Sequence, residues 1–294
     1  MKKILGILLF ISITLNANAQ LLWKISGKGL EKPSYIFGTY HLSPLSIKDS
    51  IASMPQAIKE TSQVYGEIVM SDMTSPTFLQ NAQRLMMMPK DSTLQSLFTP
   101  EQYEKLGKVI KDNMMVDVAM LRQLKPAAIN QQLALLLYMK QTPGYNPQEQ
   151  LDSFFQQQAQ QQGKKVGGLE TTQSQIELLF NSQSLHRQAN LLYCTASNID
   201  KTIAQIKQLI KSYQAQNLDE VLKLMEEREN TSCDPLPEEM EALIDNRNIV
   251  WANKMPAIMT EAPTFFVVGA GHLPGANGVL NLLKLQGYSV EAMK

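Results

Sequence analysis

The sequence carries one short pattern twice, at widely separated positions. "YIFGTYHLSP" spans residues 35–44 and "FVVGAGHLPG" spans residues 266–275. Each copy has an apolar run followed by Gly-x-x-His-Leu, and the copies contain His41 and His272, two of the three histidines in the chain. Because an imidazole transfers protons near neutral pH and also binds metal ions, the pattern predicts one site built from both copies.

Each of these histidines follows a predicted strand. The strands are expected to end at Gly38 and Gly269, where a glycine lets the backbone turn sharply or approach a ligand closely. Ligands of open α/β sheets bind beyond the carboxyl ends of the strands. We therefore expect His41 and His272 to face one crevice, with both glycines beside the substrate. The segment after His272, "GANGVLNLLKLQG", is typical of a helix whose N-terminus would add a positive dipole there.

Two glutamates are candidates for the same crevice. Glu67 interrupts the apolar run "QVYGEIVM" (63–70), and Glu170 ends the weaker strand-like run "KKVGGLE" (164–170). A buried carboxylate is costly unless it is paired, protonated or bound to a metal. The alternatives are a structural ion pair for Glu67 and a helix N-terminal carboxylate, favoured by the dipole, for Glu170.

Arg247 lies on the apolar stripe of the predicted helix 237–254. An arginine that points inward usually meets a carboxylate or a substrate anion. Arg247 is therefore a candidate substrate-binding residue, or it neutralises one of the two glutamates. Its neighbour Asn248 could orient a water or a carbonyl group. His186, in "SLHRQ", lacks the repeated context and is expected at a surface or helix end.

Strand-like runs lie near both ends of the chain, and helical patterns fill the middle. "LLWKISG" and "PSYIFG" predict a hairpin, and further strands are expected at 63–70, 164–170, 262–269 and 287–293. Helices are expected at 50–60, 78–87, 100–111, 116–140, 148–162, 172–195, 198–213, 218–229 and 237–254. The predicted fold class is α/β, with a mixed central sheet from N- and C-terminal strands and a long helical insert, about 75–240, forming a cap.

The first 19 residues predict a cleaved signal peptide. A basic start precedes the apolar run 4–15, and Ala17-Asn18-Ala19 fits the small-x-small cleavage rule. We expect a single exported domain over residues 20–294, periplasmic or secreted, with no transmembrane segment after cleavage. The balance of 27 basic and 27 acidic residues gives no reason to expect nucleic acid as a partner.

The chain contains two cysteines, Cys194 and Cys233. In an exported protein such a pair is first interpreted as a disulfide. Two buried free thiols are the alternative, because spacing along the chain does not supply the required geometry.

These residues resemble the TraB/GumN family, which is similar to the Tiki metalloproteases and more distantly to the ChaN-like and erythromycin-esterase-like proteins. The matching segments are "LLWKISG", "YIFGTYHL", "VYGEIVM", "LKPAA", "GLETTQSQ", "NRNIVWANKM" and "FFVVGAGHLPGANGVLNLLKLQGY". The resemblance implies an α/β core in two related halves and an active site at Gly38/His41, Glu67 and Gly269/His272. For Tiki-like members it implies a peptidase that depends on a divalent metal, here expected to be manganese, cobalt or zinc.

Three functional hypotheses remain open. In the first, an exported metal-dependent hydrolase, peptidase-like, holds one metal on His41, Glu67 and His272, leaving a position for water. Glu170 is then a fourth ligand or a general base, and Arg247 holds a substrate carboxylate or stabilises the oxyanion.

The second hypothesis is metal-free hydrolysis, in which one histidine activates water and Glu67 or Glu170 orients that histidine. The third is an exported protein that binds metal, haem or a peptide without turnover. The substrate, a peptide or small molecule, and the oligomeric state are left open.

Overall fold

The computed structural model describes residues 20–142, 145–146 and 148–294, so the predicted signal peptide lies outside the described residues. Within them, six strands form one mixed sheet in the order β4-β3-β5-β2-β1-β6. The strands are β1 (Leu22–Ser26), β2 (Ser34–Thr39), β3 (Gln63–Gly66), β4 (Lys165–Gly168), β5 (Thr264–Gly269) and β6 (Ser289–Met293). The predicted α/β class and mixed sheet are confirmed.

Strands from both ends of the described chain pair with each other in this sheet. β1 pairs antiparallel with β2, as the predicted hairpin requires, and on its other side antiparallel with β6. β2 pairs in parallel with β5, which pairs in parallel with β3, and β3 with β4. Because β2 and β5 are buried almost throughout, their apolar runs have no polar alternation, as expected for strands covered on both faces.

Parallel pairing brings the carboxyl ends of β2, β5, β3 and β4 to one edge of the sheet. The histidines of the two Gly-x-x-His units follow β2 and β5, Glu67 follows β3, and Glu170 follows β4. The topology therefore places the predicted histidines and glutamates, which follow four neighbouring strands, at one edge of the sheet.

The helices mostly agree with the sequence periodicity, but several boundaries differ. They are α1 (Met54–Glu60), α2 (Pro76–Met86), α3 (Pro100–Met114), α4 (Pro126–Gln141), α5 (Leu151–Gln161), α6 (Thr172–Asn181), α7 (Leu185–Ser197), α8 (Ile199–Gln214), α9 (Leu218–Glu226), α10 (Pro237–Met240), α11 (Asn246–Glu261) and α12 (Val279–Leu285).

Three predicted helices were wrong in their extent. The segment 116–140 becomes a helix only from Pro126, which begins α4 with a ring suited to the first turn. The segment 172–195 divides into α6 and α7, because the side chain of Ser184 caps a new helix through the backbone N–H of Arg187. The segment 237–254 contains a π-helical turn, Glu241–Asp245, between α10 and α11.

The predicted helical insert has a hydrophobic core of its own. Side chains of α3, α4 and α7, including Leu106, Leu133 and Leu192, form a buried cluster separate from the cluster around the sheet. The insert is not wholly helical, since β4 lies within it and joins the sheet, and Phe155 of α5 packs in the sheet's core. The roles of this region as a cap and of the fold as two related halves stay predictions.

A disulfide joins Cys194 of α7 to Cys233, and their Cα atoms are 5.7 Å apart. The disulfide interpretation of the two cysteines is confirmed. None of the helices among the described residues is both long and apolar enough to cross a membrane.

Candidate active site

The two Gly-x-x-His units are in contact. Thr39 and Gly269 are partners in the parallel pair of β2 and β5. A Cβ atom added to Gly38 would lie 2.8 Å from Cδ1 of Leu273 and 3.1 Å from Cα of Ala270, both in the second unit. The glycine of the first unit therefore provides space for the second unit. It lies inside β2, which ends at Thr39 and not at Gly38 as predicted.

Gly269 provides space for Glu67. A Cβ atom at this glycine would lie 3.1 Å from Oε1 of Glu67, and the Gly269 N–H donates to the same oxygen at 2.8 Å. Neither motif glycine has a positive φ. Each is needed for a close approach within the protein, and their predicted contact with substrate stays a prediction.

Glu67 lies one residue beyond the end of β3, not inside a strand that runs to residue 70 as predicted. The strand stops because Gln156 of α5 takes over the backbone hydrogen bonds. Its Nε2 donates to the Ile68 carbonyl at 2.9 Å and its Oε1 accepts from the Met70 N–H at 2.9 Å. This turn directs the Glu67 carboxylate to the edge of the sheet.

Arg247 joins both glutamates to His272. Its Nη2 donates to Oε2 of Glu67 at 2.6 Å and to Oε1 of Glu170 at 2.7 Å. Its Nε donates to Oε2 of Glu170 at 3.1 Å, and its Nη1 donates to Nε2 of His272 at 2.9 Å and to the Leu243 carbonyl at 2.9 Å. A guanidinium has five N–H donors, so protein atoms use all of them.

The arginine is almost buried, with 11% of its side chain exposed, and Glu67 has 7% exposed. Burial opposes the charge of Arg247, but hydrogen bonds and charge from Glu170 and Glu67 raise its pKa. The predicted neutralisation of the glutamates by Arg247 is thus present in the structure. A substrate-binding role stays a prediction, and a substrate group would have to replace one of these contacts.

The π-helical turn before α11 helps to place Arg247. Residues of a π turn bond five positions apart, and such turns often occur at functional sites. Leu243 belongs to the turn Glu241–Asp245, and its carbonyl accepts from the Arg247 side chain. The guanidinium is thereby held at its own helix as well as at the carboxylates.

A chain of hydrogen bonds determines the tautomer of His272. The Nδ2 of Asn248 donates to the Asn277 carbonyl at 2.9 Å, so its Oδ1 is the atom that faces Nδ1 of His272 at 2.7 Å. Because an amide oxygen only accepts, Nδ1 of His272 carries the proton and its Nε2 carries the lone pair. That lone pair accepts from Arg247.

His272 is held neutral by its surroundings. Burial lowers its pKa to about 4; Glu67 opposes the shift, and the positive charge of Arg247 adds to it. The indole of Trp251 packs on the imidazole with ring centroids 4.4 Å apart. The buried, oriented and neutral ring has the protonation state that a base or a metal ligand requires.

The His41 ring has different partners. Its Nδ1 lies 3.1 Å from Oδ2 of Asp152, and 58% of its side chain is exposed. The Asp152 carboxylate raises the pKa of His41, although solvent around the exposed ring screens this attraction. The backbone of the loop is held by tyrosines, because Tyr138 donates to the Leu42 carbonyl and Tyr145 to the His41 carbonyl.

Burial alone would raise the pKa of Glu67, but the nearby positive charges outweigh it. His272 when protonated, Arg247 and His41, together with the Gly269 N–H, lower the pKa of Glu67 below its usual range. Glu67 is therefore ionised in the neutral range. Its Oε1 lies 3.8 Å from Nε2 of His272.

Two polar residues of the site were missed by the sequence analysis. Gln175 of α6 donates through Nε2 to Glu67 at 2.9 Å and to Glu170 at 3.1 Å. Asp152 is buried on α5 beside His41. A signal for Asp152 was present, because Asp152 and Gln156 are four residues apart and adjacent to the apolar Leu151 and Phe155. Gln175 has no such signal.

The helix predicted over "GANGVLNLLKLQG" is present but begins inside that segment. The residues Ala270–His272 form a short 3-10 turn, and α12 starts at Val279. The predicted dipole is therefore not next to the histidine. His186, expected at a surface, is exposed near the start of α7.

The predicted metal site, His41 with Glu67 and His272, does not fit this arrangement. The described residues contain no group of three or more histidine, cysteine or acidic side chains placed to hold a metal ion. Arg247 binds the atoms of Glu67 and His272 that would have to face a metal. The guanidinium supplies one positive charge between the two glutamates.

Comparisons with known proteins place this chain in a family. The model of the TraB/PrgY/gumN family matches residues 21–292. The chain is 23% identical to "Metalloprotease TIKI2" of Danio rerio, across 92% of this chain and 60% of that protein. It is 23% identical to human "Metalloprotease TIKI1", across 92% of this chain and 61% of that protein. No solved structure matches the chain.

The chain thus spans about three fifths of the length of these curated relatives. The family match covers both Gly-x-x-His units, the two glutamates and Arg247. The resemblance found in the motifs is confirmed over nearly the whole described chain, and the protein belongs to the TraB/PrgY/gumN family.

Proposed function

We propose that the edge of the sheet beyond β2, β3 and β5 is the active site of a hydrolase with peptide-type substrates, in which His272 accepts the proton of the attacking water. The observation that carries the proposal is the chain from Asn277 through Asn248 to His272. It presents a neutral imidazole with the lone pair on Nε2, as a general base requires.

The reaction follows from the positions of three side chains. Water replaces the contact between Nη1 of Arg247 and Nε2 of His272, and its proton passes to that nitrogen as the oxygen bonds to the substrate carbonyl carbon. Arg247, released from this one contact, donates to the developing oxyanion. The imidazolium then returns the proton to the leaving nitrogen as the carbon–nitrogen bond breaks. Glu67, ionised at 3.8 Å from Nε2, stabilises the imidazolium.

A metal-dependent peptidase is the second candidate. The relatives are named metalloproteases. In addition, the cluster of Glu67, Glu170 and Arg247 has one more negative than positive charge. Manganese, cobalt or zinc remains the expected ion. In the described arrangement the donor atoms are bound by Arg247, so the steps above use only the chain's own residues.

We also propose that the chain is exported to the periplasm or the exterior. The disulfide supports this, because such bonds persist in oxidising compartments. The apolar run 4–15 with its small-x-small site supports it from the sequence. Fractionation of cells that produce the full chain, followed by N-terminal sequencing, tests both parts, and intact protein in the cytosol would contradict them.

The test of function combines metal analysis with a hydrolysis screen. Purified protein is dialysed with and without Mn²⁺, Co²⁺ and Zn²⁺, analysed for metal, and then incubated with peptide and ester libraries, with and without chelator. His272→Gln keeps a group that can bond to Asn248 but removes the base. We expect hydrolysis by the wild type and its loss in His272→Gln.

The outcomes separate the candidates. Hydrolysis that survives chelation supports the mechanism through His272, and loss on chelation with stoichiometric metal supports the second candidate. No hydrolysis of either library, with tight binding of a metal, haem or peptide, would overturn both and favour a binding protein.

A further inference from the structure

Asp152 is a buried carboxylate that the mechanism above does not use. It lies in the first turn of α5, with 5% of its side chain exposed. Its Oδ1 accepts from the Thr39 hydroxyl at 3.2 Å, and its Oδ2 lies 3.1 Å from Nδ1 of His41. A buried carboxylate is costly unless its partners compensate it, and these two are its side-chain partners among the described residues.

The contact determines which nitrogen of His41 carries the proton. An ionised carboxylate only accepts hydrogen bonds, so Nδ1 of His41 donates to Asp152. The other nitrogen, Nε2, has no hydrogen-bond partner within the part of the chain that the structure describes, and the ring is largely exposed. Nε2 is therefore the nitrogen available to a substrate or water.

Thr39 fixes the carboxylate in turn. It is the last residue of β2, is buried, and is paired with Gly269 of the second unit. Its hydroxyl holds one oxygen of Asp152 and leaves the other for the histidine. Hydrogen bonds thus connect the end of β2, through Thr39 and Asp152, to the exposed ring of His41.

We propose that Asp152 is a positioning residue that holds His41 with Nδ1 toward the protein, so that the exposed ring presents Nε2 to a substrate or water. The catalytic part rests on the proposed function. Asp152 performs for His41 the orienting role that Asn248 performs for His272.

The direct test reads the tautomer of His41 by nuclear magnetic resonance. The full-length protein is labelled with nitrogen-15 in its three histidines, and the ring signals are assigned with the variants His41→Gln and His272→Gln. Spectra above the titration midpoint of His41 are expected to show the proton on Nδ1. In Asp152→Asn the neutral ring is expected to become a mixture of both tautomers, because an amide can donate as well as accept.

Two controls accompany this measurement. Thr39→Val removes the hydroxyl bond but keeps the carboxylate, and its shift is expected to be smaller and in the same direction. The exposed His186 is an internal standard whose signals stay unchanged. A wild-type His41 protonated mainly on Nε2, or an Asp152→Asn spectrum identical to that of the wild type, would overturn the proposal. Wild type and Thr39→Val still decide it if Asp152→Asn does not fold.

Kinetics separate this inference from the proposed function. With any substrate found in the screen, Asp152→Asn is expected to lower kcat about 10- to 100-fold, the usual effect of losing an orienting partner, with KM little changed. If the wild type hydrolyses nothing but the tautomer shifts, the proposed function fails and the positioning role stands. If the wild type is active and Asp152→Asn has the same kcat and pH profile, the positioning role in catalysis fails and the function stands.

Discussion

The two Gly-x-x-His units have the same sequence pattern and follow adjacent parallel strands, yet their histidines have opposite surroundings. His272 has 6% of its side chain exposed and bonds to a neutral amide and a cation. His41 has 58% exposed and bonds to a carboxylate. Burial lowers the pKa of the first to about 4, and Asp152 raises that of the second. A motif thus places an imidazole, and its neighbours decide what the imidazole can do.

Some enzymes divide acid and base roles between two like groups in this way, by pushing their pKa values apart. Asn248 lies on α11 and Asp152 on α5, so the distinguishing residues come from different helices outside the repeated pattern. Substitutions in and around the two units measure how far their contributions to activity and stability differ.

The largest effect is expected for His272→Gln. Loss of a general base typically lowers kcat about 10²- to 10⁴-fold, and glutamine keeps a polar contact to Asn248. The measurement is steady-state kinetics on a substrate from the screen, beside His41→Gln. A kcat within about twofold of the wild type for His272→Gln would assign the base to another group.

Replacing Arg247 by methionine is expected to destabilise the protein by about 3–5 kcal/mol, because the buried Glu67 and the mostly buried Glu170 lose their cation. Lys165→Met is the matched control, since Lys165 pairs with Glu261 at an exposed site, and a cost of about 0–1 kcal/mol is expected there. Urea denaturation of both variants gives the two free energies of unfolding. Equal costs would show that the carboxylates are compensated without Arg247.

The free energy of unfolding is expected to depend on pH through the titration of His272. Its folded pKa, about 4, lies below the unfolded value of 6.5. Between these pH values the unfolded chain binds more protons, so the free energy of unfolding falls as pH decreases, by up to about 3 kcal/mol.

Glu67, whose folded pKa is also lowered, extends the loss below pH 4.5. Urea denaturation at a series of pH values measures the slope, and His272→Gln should flatten it between pH 6.5 and 4. If the slope is unchanged in that variant, another group binds the protons that are taken up on unfolding.

Gly38→Ala is expected to cost about 1–3 kcal/mol, since its methyl group would meet Ala270 and Leu273 of the second unit. In Gly269→Ala the methyl group meets the Glu67 carboxylate. This variant is expected to lose less stability than Gly38→Ala but more activity. Thermal unfolding and kinetics of the two variants compare the units directly. Equal losses of activity would indicate that the glycines only serve packing.

The smallest effect on stability is expected for His41→Ala, within about 1 kcal/mol, because surface substitutions rarely cost more. The exposed ring contributes little packing, but Asp152 loses its partner and keeps Thr39. A loss above about 3 kcal/mol would show that the pair with Asp152 is a structural ion pair.

The sequence predicted the fold class, because apolar strand runs and helical periodicity depend on local patterns. It also predicted that His41, His272, Glu67, Glu170 and Arg247 lie at one edge, and all five follow or face the carboxyl ends of parallel strands. It did not predict that Arg247 would bind both glutamates and His272 at once. That result depends on distances between elements far apart in sequence, as do the contacts of Gln175 and Asp152.

The pairing of β1 with β6 has a consequence for how the chain folds. Leu22 pairs with Met293, and Tyr35 of β2 with Phe265 of β5. Sheets with such distant partners form slowly, because the entropy of closing a long loop is lost before the strand contacts stabilise the chain. During synthesis, β1 and β2 leave the ribosome long before β5 and β6 exist. The sheet therefore stays incomplete until the C-terminal strands are made, so the N-terminal hairpin has no partner strands for most of synthesis.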